Sequence, residues 1–334
     1  MLDIFNNDVF GLVSLTTAIN KAPFNPTKLG SMKLFNVGGI NTLAAAIDIR
    51  DGEISVYSTG ARGASVNTHK TASRSTKSFT VPHIPVDGEV KADEVTGVRA
   101  FGKETELETV SGVVAQKTKA IRANFETTFE FHRANALQGR LVDADGVTVL
   151  YDWFAEFGIV RQIVDFDFSN VNADIKQLCL DIIRLTEDAL GATVFEGVKA
   201  LCGHEWFDAF VSHPKVVDAY IRYRDGEWLR TQQAGRRGPG FTFGGIEFME
   251  YRVQIGTLNF VPAAEAAFFP HGVTGLYGVY FAPANYVETV NTKGRPFYMK
   301  KERQRFDTGV DLHAQSNPLF IPHRPAALIR GTKS

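Results

Sequence analysis

Several residues in this chain have types and spacings that could do chemistry. His204-Glu205 opens like the helical His-Glu pair of zinc proteases. That motif needs a second His one turn on, and position 208 is Asp. GPGFTFGG at 238–245 is Gly-rich, but its glycine spacing and its context do not fit the strand-to-helix turn that binds a dinucleotide pyrophosphate. Asp143, Asp145 and Gly146 begin like a calcium loop. The remaining oxygen ligands and the distal Glu are missing, so the segment reads as a hairpin turn. Asp165 and Asp167 fall in a loop, where solvated charge is expected. The eight His are scattered, and no nucleophile elbow, Walker loop or zinc spacing is present. Cys179 and Cys202 fit no metal or redox spacing and read as small apolar core residues. No catalytic, cofactor or metal residue is expected, although residues distant in sequence can still assemble a site.

The elements that would position such residues point to a different kind of protein. The 334 residues are 44% hydrophobic, enough for one large core or two moderate ones. A net charge of -1 gives no global field for capturing nucleic acid, so a genome-facing surface would need local charge. The first ten residues have no basic region of the kind that opens a signal peptide. No apolar run is long enough to cross a bilayer, so a soluble protein made in a cytoplasm is expected. The 26 Phe, with 30 Gly and 13 Pro, suggest short strands and shaped loops packed by aromatic anchors.

Along the chain, 8–20 reads as a short helix capped by Asp8, followed by Pro23 and Pro26. Strand 42–50, Asp51-Gly52 and strand 53–57 fit a hairpin. From Ile54 to Val86 there is no Asp or Glu, while Arg62, Lys70, Arg74 and Lys77 are basic. Within that span 58–78 has almost no large apolar side chains. Ordering costs about 1–2 kcal/mol per residue, which so few apolar groups do not offset. The segment is either a disordered loop or a hairpin tip that orders against an acidic neighbour. Residues 79–91 return as an extended strand broken by prolines. Leu107, Val110, Val114, Ile121, Phe125 and Phe129 set a long helix over 103–137, with Lys117, Lys119 and Arg122 clustered on it. A hairpin follows at 140–150, then helix 172–190, strand 198–202, helix 205–223, a polar loop 225–240, and strands 241–253 and 266–281. This alternation argues for a second α/β layer, after which 287–334 holds strand-like runs among polar loops.

Taken in order, FNNDVFGLVSLTTAIN, YSTGARGA, FTVPHIPVDGEVKADEVTGVRAFG, ALQGRLVDADGVTVLYDWFAEFG, GFTFGGIEFMEY, FFPHGVTGLYGVYFAPANYVETVNTKGRPFYMK and QSNPLFIPHRPAALI resemble the major capsid protein E family of lambda-like tailed phages. The resemblance covers nearly the whole chain and implies an α+β Hong Kong phage-type capsid fold. It implies an N-terminal arm at 1–38, an extended loop at 39–91, a peripheral domain at 92–165 plus 287–334 with a long spine helix, and an axial domain at 166–286. The function it implies is self-assembly through pentamers and hexamers into an icosahedral or prolate head around double-stranded DNA. Scaffold, portal and decoration proteins are further partners it suggests; cofactors and membranes are not. Arg62, Lys70, Arg74 and Lys77 would meet acidic groups of an adjacent subunit, and Lys117, Lys119 and Arg122 would face packaged DNA. Three rival readings are an encapsulin-like shell enclosing enzymes, a soluble α/β enzyme whose polar loop is a lid, and a tail-tube protein.

Overall fold

The structure, a computed structural model, describes residues 12–21, 27–51, 73–95, 110–222 and 241–333. Two compact units emerge. The first comprises Met1–Ser31, Val37–Glu130 and Val279–Leu319; the second comprises Met32–Asn36, Phe131–Gly278 and Phe320–Ser334.

The first unit is built on a three-stranded antiparallel sheet, in the order Tyr298–Arg303, Gly309–Ser316, Ile84–Lys91. Side chains alternate across it. Val90, Val310, Leu312 and Ala314 are buried on one face, and Asp87, Glu89, Asp311 and Glu302 stand exposed on the other. Ile121 of the long helix packs on the sheet at Gly88, its Cδ1 at ordinary contact distance, 3.7 Å, from where a Cβ would be. The helix answers with an aromatic row: Phe129 stacks on Phe297 at 5.3 Å, Phe125 lies 5.6 Å from Phe297, and Phe129 lies 5.6 Å from Phe281. Three backbone segments meet with no room between them. Ile40 N–H donates to Phe281 O and Gly294 N–H donates to Ile40 O. A Cβ on Gly294 would overlap the Phe281 carbonyl, so only glycine fits there.

The second unit carries a six-stranded mixed sheet in the order Gln162–Asp165, Ile329–Thr332, Glu265–His271, Gly197–Cys202, Ile246–Glu250, Phe241–Phe243. One face is covered by Ile175–Leu190 and His204–Ser212. Trp206 is fully buried, 5.3 Å from Phe210 and 5.9 Å from Phe248 in stacked geometry, with Phe166 edge-on at 4.9 Å. Cys179 and Cys202 are buried and unbridged in this core; burial pushes the Cys179 thiol up to about 12. The Asp143 turn is a hairpin turn: Asp145 Oδ1 accepts the N–H groups of Val147 and Thr148, and the turn joins Arg140–Val142 to Val149–Asp152.

Strand Ala44–Asp51 pairs with Ser73–Thr80, Asp51 opposite Ser73, a register that puts Ala45, Ile47 and Phe79 together on a buried face; the partner expected at 53–57 lies outside the described residues. Three sequence expectations need correction. The helix expected over 205–223 is two, His204–Ser212 and Pro214–Arg222. Pro214 has no N–H to give and forces His213 to an extended conformation. The strand expected over 241–253 folds into a hairpin at Gly244-Gly245, both with positive φ. The tail 287–334 does not stay together. Its first strands join Ile84–Lys91, while Ile329–Thr332 is hydrogen-bonded between Gln162–Asp165 and Glu265–His271.

The long helix spans Val110–Leu137, about 42 Å at 1.5 Å per residue. The expected start at 103 lies outside the described residues. Gly139, with φ 77°, stops it. Near its end His132 is 3% exposed, and burial holds its pKa down to about 4. The unfolded chain binds this proton below about pH 6.5 and the native chain does not, so stability falls as pH drops through the window from about 6.5 to 4. Unfolding of the unassembled subunit should lose about 2 kcal/mol between pH 7 and 5 from this group. Urea titrations at both pH values should show a shallower pH slope in His132→Gln.

Candidate functional site

The paired strands Ala44–Asp51 and Ser73–Thr80 form a two-stranded ribbon with no third strand among the described residues. At about 3.4 Å per residue its eight residues carry the chain about 25 Å. Isolated two-stranded ribbons are marginal in water, so this element gains from a surface beyond itself. The ribbon leads to the acid-free basic segment. Arg62 and Lys70 lie outside the described residues, Arg74 is on the second strand opposite Arg50, and Lys77 is half-buried opposite Ile47.

The amino-terminal helix Leu12–Lys21 and the turn of helix Lys28–Ser31 are held on the long helix by buried charge. Arg122 Nη1 donates to Ile19 O at 2.5 Å, placing a cation at the carbonyl end of the first helix. Its guanidinium also lies over the Phe297 ring and is 3.8 Å from Glu126. Glu130 takes the opposite role, accepting Leu29 N–H at 2.6 Å and Gly30 N–H at 3.2 Å. Burial pushes the Arg122 guanidinium below its ordinary value, and Glu130 is only 3% exposed. Between them Thr16 Oγ1 accepts Met299 N–H, and Asn20 Nδ2 donates to Phe297 O.

This geometry separates the three helix cations that the sequence grouped. Arg122 is 7% exposed inside its own unit, so it is corrected from a DNA-facing residue to a clasp for the amino-terminal helix. Lys117 is partly covered, pairing with Glu94 at 2.6 Å and donating to the Glu89 carbonyl. Lys119 is exposed. The sequence reading missed Glu130. The signal was present: Arg122, Glu126 and Glu130 recur every four residues beside the apolar row Ile121, Phe125, Phe129, which puts them at the rim of the buried face.

Among the described residues no group of three or more His, Cys, Asp or Glu is placed to hold a metal, and no helix is long and apolar enough to cross a membrane. His204 and Glu205 begin a helix, with Glu205 paired to Lys333 at 2.8 Å, and Asp165 accepts from Thr332 Oγ1. The geometry offers a long helix, a clasped amino-terminal helix and a two-stranded ribbon, which are parts for contact.

The family model for phage major capsid protein E matches residues 11–333. The chain belongs to that family. This capsid protein is 30% identical over 287 residues to the major capsid protein of Pseudomonas phage KPP10, covering 81% of this chain and 82% of that one. It is 25% identical over 351 residues to the major capsid protein of Salmonella phage Felix O1, covering 96% and 95%. Its fold matches the crystal structure of a putative prophage capsid protein of E. coli CFT073 with a TM-score of 0.56 at 12% identity, covering 97% and 99%. The Hong Kong phage-type capsid fold implied by the sequence is therefore present, and the capsid protein is a structural component of tailed-phage virions that assembles into multi-copy shells. The readings as an enzyme-enclosing compartment, a lidded enzyme or a tail tube give way to it.

Proposed function

We propose that this capsid protein closes head-to-tail into pentamers and hexamers. These build an icosahedral or prolate head around double-stranded DNA in the cytoplasm of a host bacterium, with no catalytic step of its own. In this reading 1–38 is the arm and 39–91 the extended loop on an adjacent subunit. Residues 92–165 with most of 287–334 form the peripheral domain, and 166–286, completed by strand Ile329–Thr332, the axial domain. Head-to-tail contacts close rings, and their repetition raises avidity without added chemistry. Of the helix cations, Lys119 is the one offered to packaged DNA. Scaffold, portal and decoration proteins complete the particle.

The ribbon is the observation that carries this reading. It leads in sequence into a basic segment that has few apolar groups of its own, and it pairs with no third strand among the described residues. Reversing Arg62 and Lys70 to Glu together should lower shell yield at least tenfold by electron microscopy, while the soluble subunit keeps its thermal transition. Shells of normal yield and size from this variant would overturn the loop's role.

A further inference from the structure

One edge of the second unit's sheet gathers more positive charge than its own residues balance. Gln162–Asp165 is the edge strand, and its Ile163 lies beside Arg330 of the next strand. Val164 and Ile329 belong to the helix-covered core, so Ile163 and Arg330 stand on the opposite face. Arg161 precedes the edge strand, and Arg140 opens the hairpin that follows the long helix. Both fasten on Gln138: Arg140 Nη2 donates to its Oε1 at 3.2 Å, and Arg161 Nη2 donates to its carbonyl at 2.8 Å. Arg330 pairs with Glu265. Neither Arg140 nor Arg161 has an ion pair among the described residues. Asp152, close by, already accepts the N–H groups of Phe154 and Ala155. Burial most, and the neighbouring Arg330 next, push the Arg140 and Arg161 guanidiniums below their ordinary value. Three guanidiniums thus share two carboxylates in a half-buried setting, where uncompensated charge is costly. Val160, 82% exposed, and Ile163, 55% exposed, flank them. Arginines set among bare apolar side chains are the anatomy of an interface anchor.

We propose that this arginine edge receives the acidic run Glu104, Glu106 and Glu108 from a second copy of the chain. Charge complementarity selects that occupant: nowhere else in the sequence do three acids fall within five residues. A carboxylate takes a guanidinium through two parallel hydrogen bonds, a geometry that Arg supplies and Lys does not. The length of chain makes this a contact between copies. The helix Val110–Leu137, about 42 Å long, separates the acidic run from Arg140. Fully extended, the four residues from Val110 back to Glu106 reach about 14 Å. The run therefore falls short of its own arginines and meets those of a neighbour. Val160 and Ile163 then shield the ion pairs from water and salt.

This contact rests on a shell of many copies and is independent of where the extended loop lies. Mixing Glu106→Cys subunits with Ile163→Cys subunits during assembly, then oxidising, tests it directly. A disulfide-linked dimer should form in the mixture at least tenfold above either variant alone, since the native Cys179 and Cys202 are buried. Shells of normal yield without that dimer would overturn the contact and leave the closure into rings standing. A charge swap reads the same contact by yield, whether or not the cysteine variants assemble. Arg161→Glu should lower shell yield at least tenfold and keep the subunit's thermal transition, because Arg140 and Arg330 remain to pair the new acid. Adding Glu106→Arg should restore at least a third of the wild-type yield. Normal yield from Arg161→Glu, or no recovery in the combined variant, would also overturn the contact. Should Arg161→Glu unfold the subunit, Glu104→Gln with Glu106→Gln and Glu108→Gln removes the opposite charge. Its deficit against wild type should be at least tenfold in about 0.05 M salt and shrink in about 0.5 M, where screening weakens the wild-type pairs as well. An equal deficit at both would count against the contact.

Discussion

Trp206→Ala should destabilise the unassembled subunit by about 3–5 kcal/mol, the range for emptying a large aromatic from a packed core. Trp206 lies among five aromatic rings of the second unit's core: Phe210 on its own helix, Phe248 and Phe268 on two strands of the sheet, and Phe166 and Phe168 on the segment after Gln162–Asp165. Its removal strips contacts from all of them at once, and packing this dense relaxes only in part. Trp206→Phe should cost clearly less, because the ring is kept and an indole N–H with no hydrogen-bond partner among the described residues is lost. Urea unfolding followed by circular dichroism checks both. A loss under 1 kcal/mol for the Ala variant would contradict the packing.

The second large effect belongs to the clasp. Glu130→Ala should cost about 2–4 kcal/mol and loosen the amino-terminal segment, since one buried and one partly buried N–H group lose a charged acceptor. The local signature is faster trypsin cleavage at Lys28 and Lys33, while the core of the second unit keeps its protection. Glu130→Gln retains one carbonyl oxygen, so it should fall between the wild type and the Ala variant. Uniform loss of protection across the chain would mean that Glu130 serves general stability and not the arm.

The sequence was most legible where one element carries its own periodic signal. The rows Val114, Ile121, Phe125 and Phe129 on the long helix and Ile175, Ile182 and Leu190 on the next large helix follow helical spacing and are buried, with Leu178 and Leu185 of the same face partly buried. It was least legible where the partner is distant. Strand Ala44–Asp51 pairs with Ser73–Thr80, far along the chain, and the joint burial of Ala45, Ile47 and Phe79 in that register leaves no local signal. Arg122 looked like surface charge because nothing local shows that the first helix lies on it. The trio Arg140, Arg161 and Arg330 exists only after strands from distant parts of the chain are brought together.

Strand Ile329–Thr332 fills the slot between Gln162–Asp165 and Glu265–His271, and so joins segments made far apart in time. During synthesis both flanking strands leave the ribosome with an open row of amide groups facing that slot. The sheet can close only once translation has run more than a hundred residues past Gln162–Asp165. Half-made chains therefore carry an unfinished sheet and remain outside the pool of assembly-ready subunits. The fold itself imposes a lag between the start of translation and the first competent protomer.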